Sequence, residues 1–511
     1  MNMKKINTII LLIVIAFVFS SCDDFLSKRP SKQSAIVPST MEDLELILVG
    51  TWREDCSSDH VTYGGGDIQL LPELEAAANG SYKVSYVQAG TWERKESGLQ
   101  VDYMWRYRWQ NIFKANLAVY ELKNVPVTED EKNEVLAKAA FRRAISYMEL
   151  LNIYTLPYCE ENLEEPGLVL TTQIGYDYSL KRASIKDTYD FIEKDILTAL
   201  TIKAQLINRT GANSPYRVTK AAANALASRF YLMKHDYAKA QQYAEEAIKL
   251  YGWNNVLDYN TIGYYATPTK GTITVNGTPI NFEANYPATR GWNTDLQWTE
   301  DIFTNMVIKN SLTQDHFTAL IPSDDFIACF DADGSKENDA RYKYFFIEDY
   351  LYAQGKAVTK NIPCYYKPKK YTLSVPEMIM NIAECEARVG DYNTAISLVN
   401  QLRAKRIDPT SDEVNLSASS KDEAIAIVLR ERRREMGPFK RLYDIRRYNS
   451  NDYAADDVTL TQKFYSYTSS AIDRSSAIQT YTLKPDAREY AAMIPEADVM
   501  ASNGELLQNT Y

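Results

Sequence analysis

Apolar residues recur at steps of three and four through residues 218–251. Ala222, Leu226, Phe230 and Met233 form one stripe, and Ala240, Tyr243, Ala244, Ala247 and Ile248 form a second beyond the polar turn Lys234-His235-Asp236-Tyr237. The spacing predicts a helical hairpin. Residues 376–406 repeat it: Ile382 and Ala383 lead into Val389-Gly390-Asp391-Tyr392, followed by Ala395, Val399 and Leu402, so Asp-Tyr-x-x-Ala returns 155 positions later. Each unit is about one tetratricopeptide period, roughly 34 residues. Two such helices cannot bury both stripes alone and stack on neighbours, the small alanines letting backbones approach. Two unrelated amphipathic hairpins of a helical domain are the plainer alternative.

The same periodicity predicts helices near 101–123, 129–154, 186–204, 218–234, 238–251, 376–389, 393–406 and 421–436, about four hairpins in all. Thr128-Glu129-Asp130-Glu131 supplies an N-cap and an acidic first turn for the second of them. The expected fold is therefore all-α, with repeats at about 101–251 and 376–448. A loop-rich segment, 22–100, precedes them, with one short helix candidate at 40–49. An insertion, 252–374, divides them; in it Thr272-Ile273-Thr274-Val275-Asn276-Gly277-Thr278-Pro279-Ile280 reads as a β-hairpin turning on Asn-Gly. A polar, tyrosine-bearing tail, 449–511, follows and is expected to pack back over the helices.

The N-terminus is of another kind. Lys4 and Lys5 precede an apolar run from Ile9 to Phe19 that is too short to span a bilayer and ends in Ser20-Ser21-Cys22. Residues 1–21 thus read as a secretory signal, and Cys22 as the lipidated N-terminus of a bacterial lipoprotein. The remaining chain, 22–511, reads as a single domain. Loss of the signal leaves 55 Lys+Arg against 67 Asp+Glu, a net charge of −12, which argues against nucleic acid and anionic membrane surfaces as partners. Five further cysteines, at 56, 159, 329, 364 and 385, are scattered and odd in number, so no disulfide framework is implied. Cys329 and Cys385 read as small buried hydrophobes, and one bridge among Cys56, Cys159 and Cys364 stays open.

No catalytic set stands out. His60, His235 and His316 are far apart, without metal-ligand spacing, and Gly64-Gly65-Gly66-Asp67 lacks the lysine of a phosphate-cradling loop. The stretch 331–339 resembles a calcium loop at its start, but its glycine falls at the fourth position and Tyr342 stands where a bidentate Glu is needed, so it reads as a solvated turn. Neither a metal nor a cofactor is expected. The dense run Arg430-Glu431-Arg432-Arg433-Arg434-Glu435 reads as an ion-paired helix face, with Glu431 reaching Arg434, Arg432 reaching Glu435, and Leu429 and Met436 turned inward.

Binding chemistry is better represented. A sugar ring packs its C–H face on a flat aromatic ring while neighbouring polar groups bond its hydroxyls. Trp105 and Trp109 recur at helical spacing and read as core, hence as poor candidates. Trp92 lies on a glycine-rich loop, and Trp292 and Trp298 are interleaved with Arg290, Asn293 and Asp295. These six are the candidate ligand residues.

Several motifs in order resemble the SusD/RagB family. They are Cys22-Asp23-Asp24-Phe25-Leu26 with Pro30; Trp109, Ile112 and Ala115-Asn116; Phe141-Arg142-Arg143-Ala144; Asp236-Tyr237-Ala238-Lys239-Ala240; and Asp339-Ala340-Arg341-Tyr342. Gly390-Asp391-Tyr392 with Asn400-x-x-Arg403, Glu431-Arg432 with Arg441-x-x-Asp444-x-x-Arg447, Ile494-Pro495-Glu496 and the closing Leu507-Gln508-Asn509-Thr510-Tyr511 complete the set. Pro438-Phe439-Lys440 departs from it, replacing the glutamate-glycine step usual before Arg441. The resemblance implies four tetratricopeptide-type hairpins decorated by loops. It also implies an outer-membrane lipoprotein, facing the exterior, that captures an oligosaccharide, or in some relatives a peptide, for a SusC-like TonB-dependent transporter, without catalysis. A surface glycosidase or peptidase with unrecognised carboxylates is the competing class.

Overall fold

The computed structural model describes residues 38–49, 58–78, 82–95, 102–175, 177–204, 216–262, 265–275, 278–288, 299–308, 320–354, 357–365 and 369–511. Its scaffold helices are α1 (Tyr103–Glu121), α2 (Glu129–Tyr154), α3 (Ile185–Ala199), α4 (Lys220–Met233), α5 (Tyr237–Tyr251), α6 (Val375–Val389), α7 (Tyr392–Arg403), α8 (Lys421–Met436) and α9 (Pro438–Tyr448). The first eight are those expected from periodicity. The ninth follows Gly437, whose φ of +68° and whose close approach to the Tyr365 hydroxyl leave no room for a side chain, with Pro438 opening the next helix. At the family's departure point the chain therefore turns sharply and restarts a helix.

The Asp-Tyr echo has a local cause. Asp236 and Asp391 are the N-caps of α5 and α7, accepting from the Lys239 amide at 3.1 Å and the Asn393 amide at 3.0 Å. Thr128 and Glu131 form the reciprocal capping box of α2, with the Thr128 amide donating to Glu131 Oε2 at 2.8 Å. Helix α5 packs against both α4 and α6, so the helical stack continues directly across the insertion. Ala240, Ala244 and Ala247, all at 0% exposure, line that seam. Leucines at 244 and 247 are expected to overpack it by roughly 1–3 kcal/mol each, read as a lowered thermal midpoint; an unchanged midpoint would count against the seam.

The insertion forms two-stranded antiparallel ladders. Tyr265–Val275 pairs with Thr278–Ala288, Asp301–Ile308 with Lys369–Ser374, and Phe346–Gln354 with Ala357–Tyr365. The first contains the expected hairpin, Val275 facing Thr278 across the two-residue connection, but it runs several residues further each way. The segment read as loop holds three short helices besides Met41–Val49, namely Asp59–Tyr63, Pro72–Ala78 and Val84–Thr91. The tail packs back as expected: Leu460–Phe464 pairs with Gln479–Leu483, and the Ala492 amide donates to Ile153 O at 2.7 Å.

Two expectations about charge change. The run on α8 is ion-paired as expected, but that face is turned inward, with Glu431, Arg432, Arg434 and Glu435 buried at 1–4% exposure. Glu431 does meet Arg434, at 3.3 Å, but Arg432 turns to Asp444 at 2.9 Å, while Glu435 takes Arg341 at 3.0 Å and Arg406 at 2.9 Å. Leu429 and Met436 are only half-buried. The turn 331–339 is solvated at Asp331, Ala332, Gly334 and Glu337 as expected, but Asp333 is drawn to Arg434 at 2.9 Å and Arg403 at 3.0 Å, which anchors the loop to α7 and α8. Among the described residues no group of three or more His, Cys, Asp or Glu is placed to hold a metal ion, and no helix is long and apolar enough to cross a membrane. Cys159, Cys329, Cys364 and Cys385 are free thiols, so Cys159 and Cys364 are not bridged to each other. Cys56 and Cys22 lie outside the described residues.

Candidate functional site

Helix α1 starts at Asp102, whose side chain accepts from the Trp105 amide at 3.2 Å. From there Trp105, Trp109, Ile112 and Asn116 share one face. Trp105 is buried at 6% and meets Tyr154 edge-on at 4.8 Å, as a core residue should. Trp109 is half-buried, edge-on to Trp105 at 5.5 Å and to Tyr147 at 5.8 Å. Phe113, one turn further, is 45% exposed.

Two side chains hang an extended segment beside this helix. The Asn116 amide donates to Thr171 O at 3.2 Å and Gln173 O at 3.1 Å while its oxygen accepts from Arg143 at 2.8 Å, and Arg143 is held by Asp195 at 2.6 Å. The Tyr147 hydroxyl donates to Val169 O at 3.0 Å and accepts from the Thr171 amide at 3.1 Å, its proton held tighter still by burial, which pushes its pKa well up. A third wall comes from the C-terminal end, where the short helix Glu496–Ala501 and Leu506 approach. Arg182 ties this wall to the first two, donating to Gly167 O at 2.7 Å and to Asn509 Oδ1 at 2.8 Å; burial lowers its pKa to about 10, which leaves the guanidinium charged at neutral pH.

Between these walls lies a cleft of about 250 Å³, lined by the rings of Trp109, Phe113 and Tyr178 and by Ile112, Val169, Ile174, Leu180 and Leu506. Asp498 stands at its rim. Its side chain is exposed; partial desolvation by the neighbouring wall still raises its carboxyl from the ordinary value, opposed by a hydrogen bond from the Trp105 side chain. It is the one carboxylate among the described lining residues.

The sequence candidates fare differently. Trp92 is 3% exposed, takes a left-handed φ of 59° after Val84–Thr91, and donates its indole N–H to Gly64 O at 2.9 Å. It is a packed anchor and not a ligand platform, because both its ring and its N–H are spent inside the core. Arg290, Trp292, Asn293, Asp295 and Trp298 lie outside the described residues. Trp109, set aside as core on periodicity, instead lines the cleft. A signal was present: Phe113 extends the Trp105–Trp109 stripe by another four residues, giving the helix more aromatic surface on that side than its partner α2 covers.

Comparison with known families matches residues 24–232 to a family described as starch-binding and associating with the outer membrane, and residues 259–511 to the SusD family. The chain belongs to the SusD/RagB family. Solved SusD-type structures have the same fold. A SusD superfamily protein from Bacteroides thetaiotaomicron is 17% identical with a TM-score of 0.64, the match covering 92% of this chain and 100% of that one. A putative sugar binding protein from Bacteroides vulgatus is 21% identical with a TM-score of 0.62 over 93% and 99% of the two chains. A surface glycan-binding protein A from Bacteroides uniformis is 15% identical with a TM-score of 0.61 over 92% and 98%. No curated protein matches the sequence.

Proposed function

We propose that this SusD-type protein is a glycan-binding lipoprotein of the outer membrane that captures oligosaccharide and passes it to a TonB-dependent, SusC-like transporter. The observation that carries the binding role is the cleft with Trp109, Phe113 and Tyr178 on its walls, since flat rings suit the C–H faces of sugars and need little ordering on binding. The relatives titled as sugar- or glycan-binding proteins support the same reading, as does the family described as associating with the outer membrane. Glycoside hydrolysis uses two carboxylates, and the described cleft brings one, Asp498. The segment carrying Arg290, Trp292, Asn293, Asp295 and Trp298 is proposed as a further contact region for the same ligand.

Titration of the purified protein with malto-, cello-, xylo- and manno-oligosaccharides, followed by calorimetry and chromatography, tests this. At least one series is expected to bind and to be recovered intact, and Trp109→Ala is expected to weaken it by about 1 kcal/mol or more, roughly fivefold, with the helical circular dichroism retained even as the lost contacts to Trp105 and Tyr147 lower the melting midpoint. The double variant Trp292→Ala, Trp298→Ala is measured alongside. Cleaved sugar, or full affinity in both variants, would sink the reading.

Attachment is proposed through lipid on Cys22. Cys22→Ala is then expected to move the protein to the soluble fraction on cell fractionation, since stable anchoring needs more than one acyl chain and the bacterial lipoprotein modification supplies them there. Tight membrane association of the Cys22→Ala protein would refute it.

A further inference from the structure

Resting on the glycan-binding reading, we propose that the cleft beside α1 selects a 2-acetamido sugar, an N-acetylated hexosamine unit, over the corresponding plain hexose. Its size comes first. At about 250 Å³ the cleft lies below the roughly 300–1,000 Å³ of most small-molecule sites, so it takes one ring or one substituent of a longer chain.

The distribution of polar groups then decides which ring. Most of the cleft's own polar atoms are already used. The Asn116 amide is divided among Thr171 O, Gln173 O and Arg143, the Tyr147 hydroxyl bridges Val169 O and the Thr171 amide, and Thr171 Oγ1 accepts from the Gln173 amide at 3.1 Å. Of the side-chain groups left, the Trp109 indole N–H is buried without a partner, and two others stand at the opening. Asp498, held by the Trp105 side chain, has acceptor capacity to spare, because a carboxylate takes up to about four hydrogen bonds. The Gln173 side chain is exposed and offers an N–H. Between them the surface is apolar, made by Ile112, Val169, Ile174, Leu180 and Leu506.

A plain hexose carries a hydroxyl on nearly every ring carbon. Pressed into such a surface it would strand several of them, at about 1–3 kcal/mol for each group left without a partner. An acetamido substituent presents a different inventory: one methyl, one N–H and one carbonyl. Its methyl fills the apolar interior, its N–H donates to Asp498, its carbonyl accepts from Gln173, and the sugar ring lies on Trp109 at the mouth, where its hydroxyls stay in water.

The test uses pairs that differ only in that substituent: N,N′-diacetylchitobiose against cellobiose, and N-acetylgalactosamine against galactose, titrated calorimetrically into the full protein. The acetylated member of at least one pair is expected to bind tenfold or more tightly than its partner. Asp498→Ala and Gln173→Ala are each expected to reduce that ratio at least threefold while the thermal midpoint stays in place. Equal affinity within both pairs, no binding by any of the four sugars, or a ratio that both substitutions leave unchanged would overturn the proposal. So would tighter binding of N-acetyl-leucinamide than of diacetylchitobiose, which would assign the cleft to peptide. Failure here is distinguishable from failure of the broader reading: malto-, cello-, xylo- or manno-oligosaccharides that bind and weaken in Trp109→Ala would keep the cleft a glycan site while removing its acetamido selectivity.

Discussion

Replacing Glu431 by alanine is expected to destabilise the protein by about 3–5 kcal/mol, read as a lowered urea midpoint, because it removes the one carboxylate shared by three buried guanidiniums and leaves them with excess positive charge over Asp333, Asp339 and Glu435. Glu431 receives Arg341 at 2.6 Å, Arg403 at 2.8 Å and Arg434 at 3.3 Å, each side chain at 0–1% exposure. Arg341 continues to Asp339 at 2.7 Å and to Glu435 at 3.0 Å, and Arg406 links Glu435 at 2.9 Å to Glu300 of the insertion at 3.0 Å. At 0–1% exposure Glu431 and its three arginine partners lie out of reach of bulk solvent, which elsewhere could replace a lost partner. Burial opposes ionisation of Glu431, but Arg341, Arg403 and Arg434 outweigh it and hold the carboxyl far below its ordinary range, while Asp339, Glu431 and Glu435 keep Arg341 charged. The double variant Arg341→Leu, Glu431→Leu is expected to be less destabilised than the sum of its parts by about 0.5–3 kcal/mol, since each substitution alone leaves the other's charge stranded. A Glu431→Ala midpoint within about 1 kcal/mol of the parent would show that the network relaxes to solvent.

That network explains why its motifs are recognisable in sequence although their burial is not. Asp339-Ala340-Arg341-Tyr342, Arg403 and Glu431 match the family because they are parts of one charge cluster that locks α7 and α8 to the insertion. Locally the α8 run looks solvated, with charges at helical spacing. Its acids and bases find partners 12 to 101 positions away, Asp444 for Arg432, Arg403 and Arg341 for Glu431, Arg406 for Glu435 and Asp333 for Arg434, and nothing in a single helix reports that. The scaffold, by contrast, was readable because its determinants are local: Asp236 and Asp391 cap within three residues, and the alanine seam shows in the period of α5.

The site was readable only in part, for the opposite reason. Trp109 has the same periodicity as a core residue. What makes it a cleft residue is that its outer neighbours are 169–180 and 498–506, and the tail is brought across by Arg182 and Asn509, the latter donating to Tyr154 O at 3.0 Å. Trp92 erred the other way. Its glycine-rich surroundings suggested an exposed loop, yet those glycines serve close packing, and Gly64 supplies the carbonyl that accepts its indole N–H.

The protein is expected to lose stability steadily on acidification from neutral pH, with a shallow limb below about pH 6.5 and a steeper one below about 4.5. The shallow limb comes from histidines buried neutral. Burial, helped by the Arg94 charge, lowers His60 to about 3; burial, helped by Arg447, lowers His235 to about 4. An unfolded chain binds those two protons near pH 6.5, so between there and the folded values acid favours unfolding. The steeper limb comes from carboxylates whose ionised form is stabilised in the fold. For Glu377, burial is outweighed by Arg229, 2.6 Å away, and by Lys440, bringing it to about 2, and Glu384 is held lower still by Arg447 and Arg388. Their stabilisation is complete above about pH 4.5 and disappears as pH falls toward the folded values, a few kcal/mol in total. Asp102, Asp195 and Asp456, pushed up by burial, work in the opposite sense and soften the lower limb. Urea midpoints at pH 7.5, 6, 5 and 4 should therefore fall monotonically. In a His60→Gln, His235→Gln variant the decline between pH 7.5 and 5 should flatten while the drop below 4.5 remains; a parent midpoint constant from pH 7.5 to 4 would refute both assignments.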